Sequence, residues 1–198
     1  MPSYEPTSAL IVVDMQNDFV DPAGSLAIAG GAGIVDLVNE HAERARAAGA
    51  FVVSTQDWHP TRTPHFAQDG GIWPVHCVQG TWGAEFHPQL RVTGLIVRKG
   101  TNGEDGYSGF TMRDPITRET IPTELEVMLR ERAIEEVVVC GLATDYCVLA
   151  TGLDALSLGY RTIVLGDAIR AVNLSPSDGA AALAELGAAG AIIETGAR

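Results

Sequence analysis

Residues Ser8–Val13 read SALIVV, and Asp14-Met15-Gln16-Asn17-Asp18-Phe19 follows at once. A near-continuous apolar run rich in β-branched side chains, without polar alternation, describes a strand buried on both faces. Such a strand belongs in a parallel sheet, and the rest of the chain reads outward from it. Gly33–Ala48 places Ile34, Leu37, Val38, Ala42 and Ala45 at helical spacing, and Gly49 ends that helix. FVVST (Phe51–Thr55), LIVR (Leu95–Arg98), EVVVC (Glu136–Cys140), RTIVL (Arg161–Leu165) and AIIE (Ala191–Glu194) supply five more strands. Helices are expected over Pro122–Arg132, over Asp145–Leu158, and from the Ser175-Pro176 start signal to about Ala188. Alternation of strand and helix predicts a single α/β domain over residues 1–198. It is a doubly wound, six-stranded, mainly parallel sheet with helices on both faces. Gln56–Thr93 is the exception, too long for a structureless loop unless something holds it in place.

Composition narrows the function. The 198 residues are 46% hydrophobic and 19% charged, enough for a sizeable core, with a formal net charge of −12. An acidic chain repels phosphate, which argues against nucleic-acid and anionic-membrane partners. Three cysteines are too few for a disulfide scaffold and predict reduced thiols and a cytoplasmic setting. The opening MPSYEPTSAL lacks the pattern of a signal peptide, and no apolar run reaches membrane-spanning length. No GxGxxG follows a strand, and neither a P-loop nor a GxSxG elbow is present. Self-association into a homo-oligomer is left open.

Ligands of open α/β sheets bind beyond the carboxyl ends of the strands. Asp14 follows the first strand, Asp57-Trp58-His59 the second, Lys99 the third, and Gly141–Cys147 (GLATDYC) the fourth. In a parallel sheet these fall on one edge. A thiol entering a helix feels the positive end of the dipole, and a nearby lysine lowers its pKa further, so Cys147 is a candidate nucleophile with Asp14 as its base. Cys140, within a strand, reads as core, and Cys77 as loop packing or a spare ligand. Four of the five histidines (His59, His65, His76 and His87) lie between Asp57 and His87, where even spacing would put about one. Residues i and i+2 of an extended segment point the same way, so Asp57 and His59 can reach one ion, with His76 as third ligand and His65 as fourth ligand or its support. One carboxylate and two imidazoles suit Zn²⁺, Fe²⁺ or Mn²⁺ at a catalytic site. His87 reads as a cap or packing residue, and His41 as helix surface or core rim. GTNGEDGYSGF (Gly100–Phe110) reads as a site wall beside Lys99, or simply a long turn.

Taken together, VDMQNDF (Val13–Phe19), TQDWH (Thr55–His59), WPVHC (Trp73–Cys77), RKG (Arg98–Gly100) and GLATDYC (Gly141–Cys147) resemble the nicotinamidase/pyrazinamidase branch of the isochorismatase-like cysteine hydrolases, in order along nearly the whole chain. The resemblance implies conversion of nicotinamide, and of pyrazinamide-type analogues, to the acid and ammonia through a thioester, as a step of NAD salvage. It implies Asp14 as base, Lys99 as the cation beside the thiolate, and Cys147 as nucleophile. It further implies a cis peptide at Leu142–Ala143, with the N–H groups of Ala143 and Cys147 forming an oxyanion hole. Asp57, His59 and His76 would bind the metal, Zn²⁺ first among the three, and His65 matches a position that ligates in some relatives. Phe19 and Trp73 would sandwich the substrate ring, and Tyr107 would close the pocket. The nearest alternative is a cysteine hydrolase of the same superfamily acting on a carbamoyl or ureido group.

Overall fold

The structure is a computed structural model and describes residues 2–91 and 94–196. Its main sheet has six strands, β1 (Ser8–Val13), β2 (Phe51–Asp57), β3 (Leu95–Lys99), β6 (Glu136–Leu142), β7 (Arg161–Arg170) and β8 (Ile192–Glu194). Their order is β3-β2-β1-β6-β7-β8 and every pairing is parallel. β1 alternates its side chains between two cores. Leu10 and Val12 join Val35, Val38, Ala42 and Ala45 of helix α2 (Val35–Ala47) on one face. Ala9, Ile11 and Val13 join Leu125 and Leu129 of α3 (Leu125–Glu131), Ala155 of α4 (Leu149–Ser157) and Leu186 of α5 (Asp178–Ala189) on the other. The uninterrupted apolar run of β1 follows from this, since both of its faces are covered.

From β1 the chain winds outward through β2 and β3, then returns to pair β6 with the opposite side of β1 and continues through β7 and β8. The switch in winding direction lies between β1 and β6, and that is where open α/β sheets form a crevice at their carboxyl ends. Asp14 leaves β1 and Ala143–Cys147 leaves β6 at that crevice.

Several elements differ from the sequence reading. β2, β3 and β6 run two, one and two residues further than expected, so Asp57 and Lys99 are the last residues of their strands and pair in register with each other. β7 continues to Arg170. The expected helix from Pro122 begins only at Leu125, because Thr120–Pro122 (β5) pairs antiparallel with Thr111–Arg113 (β4) in a small hairpin. The helix expected from Asp145 opens with a wide turn over Thr144–Val148 before α4. A short helix, α1 (Asn17–Val20), follows β1 directly. His41 is neither surface nor rim: it is 2% exposed, and its Nδ1 shares a 2.9 Å hydrogen bond with the Tyr4 hydroxyl. The long segment after β2 is held by short bridges, His59 to Val78, Phe66 to Trp73 and Gln16 to Phe86.

Candidate active site

Lys99 is the hub of the crevice. Its ammonium, fully buried, lies 2.7 Å from Asp14 Oδ2, 2.6 Å from Asp57 Oδ1 and 3.5 Å from Cys147 Sγ. A buried cation with two carboxylates is tolerable only because each charge finds a partner. Burial works against the charge on Lys99, but Asp14, Asp57 and Cys147 hold its pKa well above the ordinary lysine value. Asp14 sits in a left-handed backbone conformation (φ 47°), and its Oδ1 accepts a 2.6 Å hydrogen bond from the Thr55 hydroxyl. Burial raises the Asp14 carboxyl pKa, with Lys99 opposing. Asp57 differs: burial also works against its charge, yet Lys99 and His59 keep its pKa well below the usual carboxylate range.

Acidic or thiol donor atoms of Asp14, Asp57 and Cys147 all lie within 4.8 Å of one another. The Cys147 pKa departs from the sequence expectation. Helix and lysine were expected to lower it; burial instead pushes the thiol well above its ordinary value, with Lys99 opposing and Asp14 and Asp57 adding to the rise. A thiol in this setting rests protonated and needs a base at the moment of reaction. The peptide between Leu142 and Ala143 is cis. Gly141, just before it, has φ 108° and lies so close to the Val13 backbone that a Cβ would collide with it.

Asp57 also faces a second cluster. Its Oδ2 lies 3.7 Å from His59 Nε2 and 3.9 Å from His76 Nε2. Ligand atoms of His59, His65 and His76, all buried, fall within 4.8 Å of one another. Burial lowers the His76 pKa to about 4, so its imidazole is neutral near pH 7. The Pro74 carbonyl, at 2.7 Å, can only accept from Nδ1, which leaves Nε2 with its lone pair toward the cluster. Both ring nitrogens of His59 are buried without a hydrogen-bond partner among the described residues. Buried polar atoms that converge yet do not bond are the donor pattern of a cation site.

Between the two clusters opens a narrow cleft lined by Phe19, Asp57, Trp73, Tyr107, Ala143 and Cys147, and by Leu26, Ile28, Tyr146 and Val172. Its apolar lining with a few convergent polar groups suits a small molecule. Trp73 Nε1 donates a 3.0 Å hydrogen bond to the Tyr107 hydroxyl, and the Trp73 ring meets Tyr146 edge-on at 4.8 Å. Every residue singled out for catalysis, metal binding or the ring pocket therefore comes to this crevice, His65 included. Cys140 is buried in β6, and Cys77 is buried with its Sγ 3.8 Å from the Gly83 carbonyl. His87 acts as a cap, its Nδ1 accepting from the Gln89 N–H at 3.4 Å.

The sequence reading passed over four supporting residues. Thr55 holds Asp14, and it lies two residues before Asp57 on the same face of β2, a signal that strand alternation could have supplied. Gln16 clamps the Asp57 backbone, accepting from its N–H at 2.8 Å and donating to its carbonyl at 2.7 Å. Asp18 accepts from the Cys77 N–H at 2.7 Å and so fixes the segment that carries His76. Asp105 meets His65 Nδ1 at 2.8 Å.

Residues 8–198 match the family described as the isochorismatase domain. A nicotinamidase of Escherichia coli is 40% identical, over 96% of this chain and 95% of its own. The pyrazinamidase of Pyrococcus horikoshii, solved in complex with zinc, superposes with a TM-score of 0.85 at 41% identity, over 96% of this chain and all of its own. PnC1 from L. infantum, solved in complex with nicotinate, gives a TM-score of 0.88 at 36% identity, over 98% and 96% of the two chains. With the family match spanning residues 8–198 and a relative 40% identical over nearly all of both chains, the protein belongs to the isochorismatase family.

Proposed function

We infer that this protein is a nicotinamidase, hydrolysing nicotinamide to nicotinate and ammonia through a Cys147 thioester, and accepting pyrazinamide-type analogues. The observation that carries the reading is the shared Asp57, one carboxylate oxygen on the Lys99–Asp14–Cys147 cluster and the other on the histidine cluster, with the apolar cleft between. A reacting carboxamide and a ring nitrogen need such paired, unlike sites. The relatives named nicotinamidase or solved with nicotinate support the substrate class. Hydrolysis of a carbamoyl or ureido group on the same scaffold would leave the buried histidines without a role. Production of nicotinate places the enzyme in NAD salvage, and the free cysteines fit a cytoplasmic setting.

Asp14 takes the proton of the Cys147 thiol, and the sulfur attacks the amide carbon. Lys99 stabilises both the thiolate and the ionised Asp14 that precedes it. The N–H groups of Ala143 and Cys147 face the developing oxyanion, where loss of one donor typically costs ~10²–10³ in rate. Asp14 returns its proton to the leaving nitrogen, ammonia departs, and water, deprotonated in turn by Asp14, releases the acid. Phe19 and Trp73 hold the ring and Tyr107 closes the cleft around it, so the amide carbon is presented to the sulfur.

The donor set fits a divalent cation, since the orphaned Nε2 of His59 and the bare Nε2 of His76 converge on Asp57. Asp57, His59 and His76 would hold it, with His65 beside them. Zn²⁺ suits this set and has its precedent in the P. horikoshii relative, while Fe²⁺ and Mn²⁺ share the ligand preference. When bound, the cation supplies a Lewis-acidic anchor for the pyridine nitrogen. The test is acid-quench mass spectrometry during turnover of nicotinamide: a nicotinoyl adduct on the peptide containing Cys147 is expected, absent from Cys147→Ala. Substantial turnover by Cys147→Ala refutes the assignment.

A further inference from the structure

Each histidine of the cluster has a different backing. His76 Nδ1 rests on the Pro74 carbonyl, His59 has no hydrogen-bond partner for either nitrogen among the described residues, and His65 Nδ1 lies 2.8 Å from Asp105 Oδ1. A carboxylate in this place fixes the tautomer: Nδ1 carries the proton and donates it, and Nε2 is left as a bare donor. Asp105 is itself held. Its Oδ1 also accepts from the Gly106 N–H at 2.9 Å, and its backbone exchanges two hydrogen bonds with Arg113 of β4. Thr63 secures the other end of the pair, its hydroxyl accepting from the His65 N–H and donating to the Gly103 carbonyl at 3.1 Å. Two loops distant in sequence are thus stitched together so that one imidazole faces the cluster.

We propose that Asp105 is a positioning residue for the cation site, orienting His65 Nε2 as a ligand, so that the 100–110 loop sets metal affinity as well as closing the substrate cleft through Tyr107. This rests on the metal-binding reading above. Removing such an outer carboxylate typically lowers metal affinity ~10–100-fold. A role confined to propping up the loop would change nicotinamide KM through Tyr107 and leave metal affinity alone.

Metal-free protein, prepared by chelation, is titrated with Zn²⁺ against a chromophoric chelator. The variants are Asp105→Ala, Asp105→Asn, His65→Ala and the double variant His65→Ala/Asp105→Ala, with circular dichroism as the check on folding. Asp105→Ala is expected to bind Zn²⁺ about 10–100-fold more weakly than wild type, and Asp105→Asn, which keeps an acceptor but no charge, to fall between. In the His65→Ala background, Asp105→Ala is expected to add nothing, because the effect passes through that imidazole. Wild-type affinity in both Asp105 variants, or losses that multiply in the double variant, overturn the proposal. Failure of the underlying reading looks different: wild type itself then takes up no Zn²⁺. Should Asp105→Ala not fold, Asp105→Asn and its pairing with His65→Ala decide the matter.

Discussion

Lys99→Met tests the electrostatic design of the crevice. The substitution keeps the stem volume and removes the single cation that faces Asp14 at 2.7 Å and Asp57 at 2.6 Å, with Lys99 and Asp14 both 0% exposed. Breaking a buried pair by deleting one partner typically costs about 3–5 kcal/mol, because the remaining charge stays buried and unpaired. For a chain of this length that corresponds to a Tm lower by about 6–20 °C. The deficit carries a sign in pH. Without the cation, burial and mutual repulsion raise the native pKa values of Asp14 and Asp57 above their unfolded values. The native state then binds more protons than the unfolded one, and stability falls as pH rises. Thermal melts of wild type and variant at pH 5.5 and 7.5, in chelator so that no other cation substitutes, are expected to show the larger gap at pH 7.5. A gap that is small, or that shrinks toward pH 7.5, refutes the view of Lys99 as the charge that makes the two carboxylates tolerable.

Two other predictions probe the frame. Gly141→Ala puts a Cβ into the Val13 backbone at φ 108°, and is expected to destabilise by about 3 kcal/mol or more, read by denaturant titration; a neutral effect would contradict the close β1–β6 approach at the crevice. Burial, with Arg44 adding to it, lowers the His41 pKa below 6.5, so the unfolded chain binds the proton more readily and native stability falls as pH drops below about 6.5. His41→Gln, which can still accept from Tyr4, is expected to flatten that loss in melts between pH 7.5 and 5; parallel curves for the two proteins would count against it.

Much of this site was legible in the residue order. A doubly buried first strand implied a parallel sheet, the sheet put Asp14, Lys99 and Cys147 on one edge, and the spacing of Asp57 and His59 put two ligands on one side of an extended segment. Legibility ended where three-dimensional pairing takes over. Asp57 was assigned to the metal alone, because nothing local says that β2 and β3 end in register and set it against Lys99. The Cys147 thiol was expected to be acidified, since helix and lysine are visible in sequence and full burial is not. His41 occupies a spacing that also fits a helix surface, and its buried partner Tyr4 lies 37 residues away in the chain. Asp105 sits in a glycine-rich loop with no periodicity, and its partner His65 lies 40 residues upstream.

This crevice is proposed to hydrolyse nicotinamide through Cys147, with a cation aiding the ring. Ammonia release from nicotinamide, followed alongside nicotinate before and after chelation, tests it most directly. Wild type is expected to give equal amounts of ammonia and nicotinate, strongly suppressed by chelator and recovered on adding Zn²⁺, Fe²⁺ or Mn²⁺, and Cys147→Ala to give none above background. No ammonia from nicotinamide with the metal-replete wild type, or release that survives in Cys147→Ala, would contradict it.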